Sequence, residues 1–297
     1  MNSDFSLPSA LVEAFRHPES EGRPPWQLVT RKSEIVDDLS KVPDDAEYVA
    51  TIGNAKNVDR LGELSQLVAL WAHIPTSEFF RASARAPHLR ALYAVYFKQL
   101  DEVPLAGANS LEHLGLTWAH RLVDLSFLRS LPALRTLIID DMKRLDLTTL
   151  PELPQLTGLA LGGGMWSTMK IESFEPLTRL PNLRYLQVYS LRTVDGSLKP
   201  LAQLHHLRDL SLPNYFSIDE FARLSGALPD TSGNVLTPFY TATDRSDKAP
   251  WGCKDCGGPR YMMTGKPAVI LCPKCDKTKM DKQLARWEAA RASRWPA

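Results

Sequence analysis

Cysteine is missing from the first 252 of the 297 residues. That excludes a disulfide scaffold for the bulk of the chain, because such scaffolds are small and spread their cysteines throughout. Long apolar runs are missing as well: none approaches the roughly 20 residues that a membrane span needs. The opening stretch MNSDFSLPSALVEAFRHPES has neither the basic start nor the apolar core of a secretory signal, so a cytoplasmic location is expected. Catalytic signatures are equally scarce. There is no H-E-x-x-H and no G-x-S-x-G. LGGGMW (161–166) is glycine-rich without a following G-K-[ST], and TGK (264–266) lacks the earlier glycine of a phosphate loop. No nucleophile–base pair stands out, and no enzymatic activity is expected.

What is present is unevenly distributed. Apolar residues make up 44% and charged residues 23%, ordinary proportions for a folded chain. The net charge of +1 hides a division: residues 1–244 carry −6 and residues 245–297 carry +7. An acidic body with a basic tail predicts separate tasks, or docking of one on the other.

Within the body, leucine recurs at fixed spacing. Leu61, Leu64, Leu67, Leu70 and Ala72 define a comb with offsets 0, 3, 6, 9 and 11, and six further copies begin at Ser83, Leu105, Leu128, Leu150, Leu177 and Leu201. Of the 35 positions 34 are aliphatic, Ser83 being the exception, and the third tooth recurs every 22 to 27 residues. This pattern matches no 3.6-residue period, which argues against a helix bundle. The last three teeth have the alternation of a short strand with one buried face. The first two fall on a returning arm, where Pro132, Pro151, Pro154 and Pro181 favour turns or 3₁₀ pieces. Residues 76–86 and 217–228 are expected to be helical, opened by Thr76 or Ser77 and by Ser217. A degraded copy, Leu39, Val42, Asp45, Tyr48 and Ala50, predicts a partial first repeat. Residues 9–17 and 26–39 are expected as a helical N-terminal cap, residues 234–240 as a last strand and residues 241–252 as a linker.

LRTLII (134–139), LTGLAL (156–161), LRYLQV (183–188) and LRDLSL (207–212) resemble the leucine-rich-repeat family, and the resemblance spans roughly residues 39–230. It implies an α/β solenoid of about seven full repeats plus caps, in which stacking buries the leucines that no single repeat can bury alone. The asparagine that usually follows the strand is mostly missing, with Asn214 nearest to its place. The expected division is a cap over 1–45, the solenoid over 46–240 and a separate tail over 241–297. Some bacterial members of the family carry a ligase domain with a catalytic cysteine. Here each cysteine belongs to a pair, which argues against that reading.

Between the buried teeth, strand side chains point to the concave face. Trp71, Tyr93, His113, Trp118, Tyr185, Gln187 and Tyr189 are the candidate partner-binding residues; their rings make both ends of the face aromatic, while Gly158, Ala160 and Gly162 leave the middle almost bare. Seven strands at about 4.8 Å give a face of about 34 Å, which suits a protein partner. The plainer alternative is that the rings cover one another and shield the sheet. Arg90, Arg135, Arg184 and Arg208 recur one residue after the third tooth and read as a solvated edge rather than a binding stripe.

The tail holds all four cysteines. Cys253-x-x-Cys256 and Cys272-x-x-Cys275, fifteen residues apart, match the spacing of a structural zinc site. Two tight loops each offer two thiolates to one tetrahedral ion, and a Cys₄ shell leaves no open position for hydrolysis. A dithiol redox role is the rival, weakened because two such pairs are present. A hairpin is expected with strands 260–263 and 268–271, and the whole resembles a zinc ribbon holding one structural Zn²⁺. Residues 276–295 read as a helix whose Met280, Leu284 and Trp287 stripe docks on the ribbon or the last repeat. Its basic face makes Lys277, Lys279, Lys282 and Arg286 candidate nucleic-acid contacts. Protein binding on the concave face is the leading expectation, nucleic-acid binding through the tail the alternative, and no membrane partner is expected.

Overall fold

The computed structural model describes residues 35–96, 100, 102–142, 145–163, 168–241 and 252–295. Each repeat begins with its strand. In chain order these are β1 (Val36–Asp38), β2 (Tyr48–Lys56), β3 (Ala69–His73), β4 (Ala91–Val95), β5 (His113–Thr117), β6 (Thr136–Asp140) and β7 (Gly158–Gly162). There follow β8 (Met169–Ile171), β9 (Tyr185–Tyr189), β10 (Leu191–Thr193), β11 (Asp209–Ser211) and β12 (Ser232–Gly233). Ten of them form one parallel sheet in the order β1-β2-β3-β4-β5-β6-β7-β9-β11-β12. The two longest repeats each add an extra strand, and these two, β8 and β10, pair with each other outside the main sheet. This is the architecture expected of a leucine-rich-repeat solenoid.

The comb is the core. Every tooth from Leu61 to Leu212 is buried, none more than 6% exposed. Each buried leucine contributes about 1.5–3 kcal/mol relative to exposure, so the stack supplies most of the driving force. Ser83 fits because it lies in a helix, α1 (Ser77–Ser83), and its hydroxyl donates to the Phe79 carbonyl at 2.8 Å. Phe79 and Phe80, both fully buried, fill the volume that a leucine would have taken. Thr76 caps this helix by accepting from the Phe79 N–H at 3.2 Å. The returning arms are 3₁₀ pieces at Ser126–Ser130, Leu147–Thr149, Glu175–Arg179 and Lys199–Gln203, the last two opened by Pro176 and Pro200.

The first repeat departs from expectation. Val49 pairs in register with Leu70 and Thr51 with Ala72, so Val49 and Thr51 are the buried teeth. Tyr48 and Ala50, expected in the core, pair with Ala69 and Trp71 on the opposite face, and Asp45 is exposed. A turn closed by Ala46 N–H to the Pro43 carbonyl inserts one residue before the strand, and a one-residue slip moves every side chain to the other face. Thr51 is tolerated inside because its hydroxyl donates to the Val36 carbonyl at 2.7 Å. Val36–Asp38, expected as helix, is the edge strand that supplies this acceptor. Residues 9–17 and most of 26–39 lie outside the described residues.

After most strands the chain turns through a left-handed residue: Ile74, Tyr96, Trp118, Asp141 and Ser190 all have positive φ. Their amides do not need an asparagine ladder. Ile74 donates to the Val95 carbonyl at 2.7 Å, Tyr96 to Thr117 at 3.0 Å and Trp118 to Asp140 at 3.0 Å.

The tail closes the solenoid's C-terminal end. The helix α2 (Ile218–Ala227), capped by Ser217, covers the last leucines with its buried Ile218, Phe221, Ala222 and Leu224. Residues 239–241 form β13 (Phe239–Thr241), which pairs antiparallel with β14 (Tyr261–Met263), itself paired with β15 (Ile270–Leu271). The segment expected to finish the solenoid sheet therefore joins this three-stranded antiparallel β-ribbon instead, and the solenoid sheet ends at β12. There Asn234 takes over, accepting from the Leu212 N–H and donating to the Leu212 carbonyl, both at 3.0 Å. The ribbon turn sits on the start of α2. The Lys266 amide donates to the Phe216 carbonyl at 2.8 Å, and Asn214 accepts from the Gly265 amide at 2.6 Å while donating to the Met263 carbonyl at 3.2 Å. Gly265, at φ +93°, is required here, since a Cβ would stand 2.4 Å from the Ile218 backbone.

The last helix, α3 (Lys277–Arg291), spans both units. Met280 packs with Met263 and Leu271 of the ribbon, with Leu284 beside them. Trp287 and Ala290 join the solenoid core. Polar contacts to α2 run along the same seam: Arg286 grips Asp219 with two nitrogens at 2.9 and 2.7 Å, and the Trp295 indole donates to Glu220 at 2.9 Å. Among the described residues, no helix is long and apolar enough to cross a membrane.

Candidate functional site

Strand register assembles the concave face row by row. One row reads Ala50, Trp71, Tyr93, Gly115, Ile138, Ala160, Gln187, and the row above it His73, Val95, Thr117, Asp140. The lower row brings Tyr48, Ala69, Ala91, His113, Thr136, Gly158 and Tyr185 together. Trp71, Tyr93, Gln187 and Tyr189 are half-buried. His113 and Tyr185 are 4% and 8% exposed, so they form floor rather than contact surface. Trp118 lies just past the sheet, in the left-handed row, with its ring centroid 3.6 Å from that of Tyr96. Tyr96 meets His73 edge-on at 5.2 Å, and His73 stacks with Trp71 at 6.1 Å. An aromatic strip of Trp71, His73, Tyr96 and Trp118 thus runs from the sheet to its rim, where Ile74 is also exposed.

Two glycines of the sheet, Gly115 and Gly162, are covered by rings, so the middle is less bare than the sequence suggests. The Tyr93 ring lies over Gly115, where an added Cβ would come within 1.9 Å of it. The Tyr189 ring lies over Gly162 in the same way, at 2.0 Å. The rings therefore shield the backbone beneath them, as the plainer reading of the sequence has it, while staying half-buried. Their hydroxyls reach the row of Thr117 on β5 and Asp140 on β6. Tyr189 donates to the Asp140 carboxylate, and Tyr93 is hydrogen-bonded to Thr117, the neighbour of Asp140 across the sheet. Burial pushes the Asp140 carboxyl above its usual range, despite the bonds it accepts from Tyr189 and the Asp141 amide. Burial and the Asp140 charge also push both tyrosine hydroxyls up. A neighbouring cavity between Tyr48, Trp71, Tyr93 and His113 measures about 20 Å³, room for about one water molecule rather than a cofactor.

At the leading edge of the sheet, Glu112 is shared by Arg90 at 2.6 Å and Arg135 at 3.7 Å. Two of the four recurring arginines are thus spent within the solenoid.

In the tail, the two knuckles are built alike. The Gly257 amide donates to the Cys253 carbonyl and the Asp276 amide to the Cys272 carbonyl, each at 2.8 Å, folding each C-x-x-C into one tight loop. The four sulfurs lie within 4.8 Å of one another, and Cys256 and Cys272 are 3.5 Å apart. Tetrahedral bonds of about 2.3 Å set sulfurs about 3.8 Å apart, which falls within that spread. None of the four cysteines forms a disulfide. Amide donors from Cys275 and Lys274 lower the Cys272 thiol to about 7, whereas the crowd of neighbouring thiols raises Cys275 to about 12. Four thiolates in one place repel, and a bound cation is the chemistry that resolves this. The four cysteines are close enough to hold one metal ion.

Of the candidate nucleic-acid contacts, Lys277 pairs with Asp281 at 2.6 Å, Lys279 with Asp276 at 3.6 Å and Arg286 with Asp219. Lys282 has no ion-pair partner among the described residues. Sequence reasoning missed Tyr48 on the face, the seats for the tyrosine rings and the Asn214 clamp. A glycine in register beside a tyrosine was the available signal for the ring seats.

No protein-family profile and no curated protein matches the chain. Among solved structures, it is similar to an internalin C2 of Listeria monocytogenes, with 18% identity over 56% of this chain and 71% of that one and a TM-score of 0.43. A second internalin of the same species shows 19% identity over 76% and 67% of the two chains, TM-score 0.44. A leucine-rich-repeat protein of Leptospira interrogans shows 17% identity over 63% and 54%, TM-score 0.41. Likenesses of this order say nothing about partner or activity.

Proposed function

We propose that this chain is a non-catalytic interaction module that binds a protein partner on the concave face, with one structural Zn²⁺ in the Cys253, Cys256, Cys272 and Cys275 cluster. The observation behind the first part is the aromatic strip of Trp71, His73, Tyr96 and Trp118, with the Tyr93 and Tyr189 rings on the same face of a parallel sheet. Rigid, half-exposed rings lose little entropy on binding and act as anchors. The zinc reading rests on four free thiols at tetrahedral reach. A Cys₄ shell supports structure rather than hydrolysis. The ribbon then serves as a cap, because its turn and α3 cover the last repeat. Ion pairing of three of the four candidate basic residues weighs against nucleic-acid binding through the tail.

The test is affinity purification from the native host with wild type and a Trp71→Ala, Tyr189→Ala variant checked for unchanged circular dichroism. A stoichiometric protein captured only by the wild type is expected. Identical capture profiles would overturn the assignment of the face. Metal analysis of protein purified without chelator should give about one zinc per chain.

A further inference from the structure

Among the described residues, the paired rows of the concave face carry formal charge of one sign. Across its rows from Tyr48 to Ser211 the only formally charged side chains are Asp140 and Asp209; no lysine or arginine occurs. The basic residues of the repeats stand one position earlier, at the leading edge, where Arg90 and Arg135 already share Glu112. Asp140 lies near the middle of the face, on β6, and no cation pairs with it among the described residues. A half-buried carboxylate without a counter-charge is costly to maintain.

The surroundings of Asp140 are built symmetrically. Tyr93 leans from β4 across Gly115 of β5, and Tyr189 leans from β9 across Gly162 of β7. The two rings approach β6 from opposite sides. Their hydroxyls are held at the row of Thr117 and Asp140, by Thr117 on one side and by the carboxylate on the other. Asp140 accepts from the Tyr189 hydroxyl and the Asp141 amide. A carboxylate has about four acceptor sites, so about two remain for a further donor. Flanking ring faces attract a cation, and a carboxylate adds a charge-assisted hydrogen bond.

We propose that the centre of the concave face receives one basic side chain of the partner, an arginine or lysine from a polypeptide segment, whose cation binds Asp140 between the Tyr93 and Tyr189 rings. This rests on the reading of the face as a protein-binding surface and names the chemistry of what binds there. A merely structural Asp140 would be served equally well by asparagine, which keeps both acceptor bonds and removes the buried charge. The fully glycine seats at 115 and 162 serve to bring both rings down beside that one carboxylate.

A phage-displayed library of random dodecapeptides, selected on the immobilised full chain with zinc present, tests this. Binders sensitive to Trp71→Ala should share an arginine or lysine. A chosen peptide should lose tenfold or more in affinity, by calorimetry, on Asp140→Asn, and as much when its basic residue becomes alanine. The two losses should not add, since both remove the same contact. Face-dependent binders without a shared basic residue, binding Asp140→Asn as tightly as wild type, would overturn this proposal and leave the face as a binding surface. Binders indifferent to Trp71→Ala and Tyr189→Ala alike would overturn both. Thermal melting of Asp140→Asn at or above the wild-type midpoint separates lost binding from lost folding.

Discussion

Removing one ring should uncap the solenoid. Trp287 is 1% exposed, contributed by the tail to the solenoid core, and it lies beside the Arg286–Asp219 pair. Truncating a buried tryptophan to alanine costs about 3–5 kcal/mol. The ion pair is half-exposed on the arginine side and 31% exposed on the aspartate side. Solvent screening limits such a pair to about 0–1 kcal/mol, even with two good hydrogen bonds. Trp287→Ala should therefore destabilise several times more than Arg286→Ala. In a solenoid the loss falls on the nearest repeats, since each repeat contacts only its neighbours. Amide exchange in α2 and β11 should accelerate by about 100-fold or more in Trp287→Ala, at about 1.4 kcal/mol per tenfold. It should stay unchanged in β3, β4 and β5. Arg286→Ala should accelerate the same amides by about fivefold at most. Hydrogen exchange with mass-spectrometric readout, zinc held saturating, measures all of these. Comparable effects of the two variants, or acceleration spread evenly over the sheet, would refute the idea that the tail is held by its apolar ring and acts as an end cap.

Three further outcomes follow. Cys253→Ser should abolish stoichiometric zinc and release the ribbon, read as faster proteolysis within residues 252–276, because so few apolar groups hold that sheet without the ion. Gly115→Ala should displace the Tyr93 ring, costing about 1–3 kcal/mol by overpacking and shifting the Thr117 and Asp140 resonances. The pH dependence has two opposite signs. Arg286 holds Asp219 below its ordinary 3.8, so that contact stabilises above about pH 4 and is lost as pH falls through the depressed value. Burial holds Asp140 above 3.8, so its ionisation destabilises the fold as pH rises through the raised value, and stability should increase as pH falls back through that range. Asp140→Asn should remove the second dependence and leave the first, in urea titrations between pH 3 and 7.

The comb was legible because its teeth are chemically uniform: a leucine every third residue reports burial directly, without knowledge of any distant contact. The same directness made the cysteine knuckles readable, since each ligand pair lies within one loop. The first repeat was not legible in the same way. Tyr48 and Ala50 are as apolar as Val49 and Thr51, and only the Pro43–Ala46 turn decides which pair faces inward. Pattern cannot resolve a one-residue slip when both faces of a strand are apolar. The fate of residues 239–241 was hidden for another reason. A short aromatic strand pairs equally well with either sheet, and the choice depends on Asn234 having already occupied the last solenoid edge. The Asp140 surroundings require five strands, β4 to β7 and β9, in register before the convergence of Tyr93 and Tyr189 becomes visible.

The departures from the repeat share a logic. Where a repeat protein can hold its turns with asparagine, this chain uses main-chain bonds from Ile74, Tyr96 and Trp118 to the adjacent strand. The left-handed backbone costs about 1–3 kcal/mol at such residues, and a β-branched residue such as Ile74 tolerates it least. Nothing in the core requires apolar side chains there, because they point to the rim: Ile74 is 54% exposed. The strain therefore stabilises no packing inside the solenoid, whereas it extends the aromatic surface of Trp71 and His73 outward in one continuous strip. The one asparagine near the turn position, Asn214, has a different task, clamping the ribbon turn. Local rules are broken where a surface is presented and kept where the leucines are stacked, which is the distribution expected when a stable frame supports a binding face.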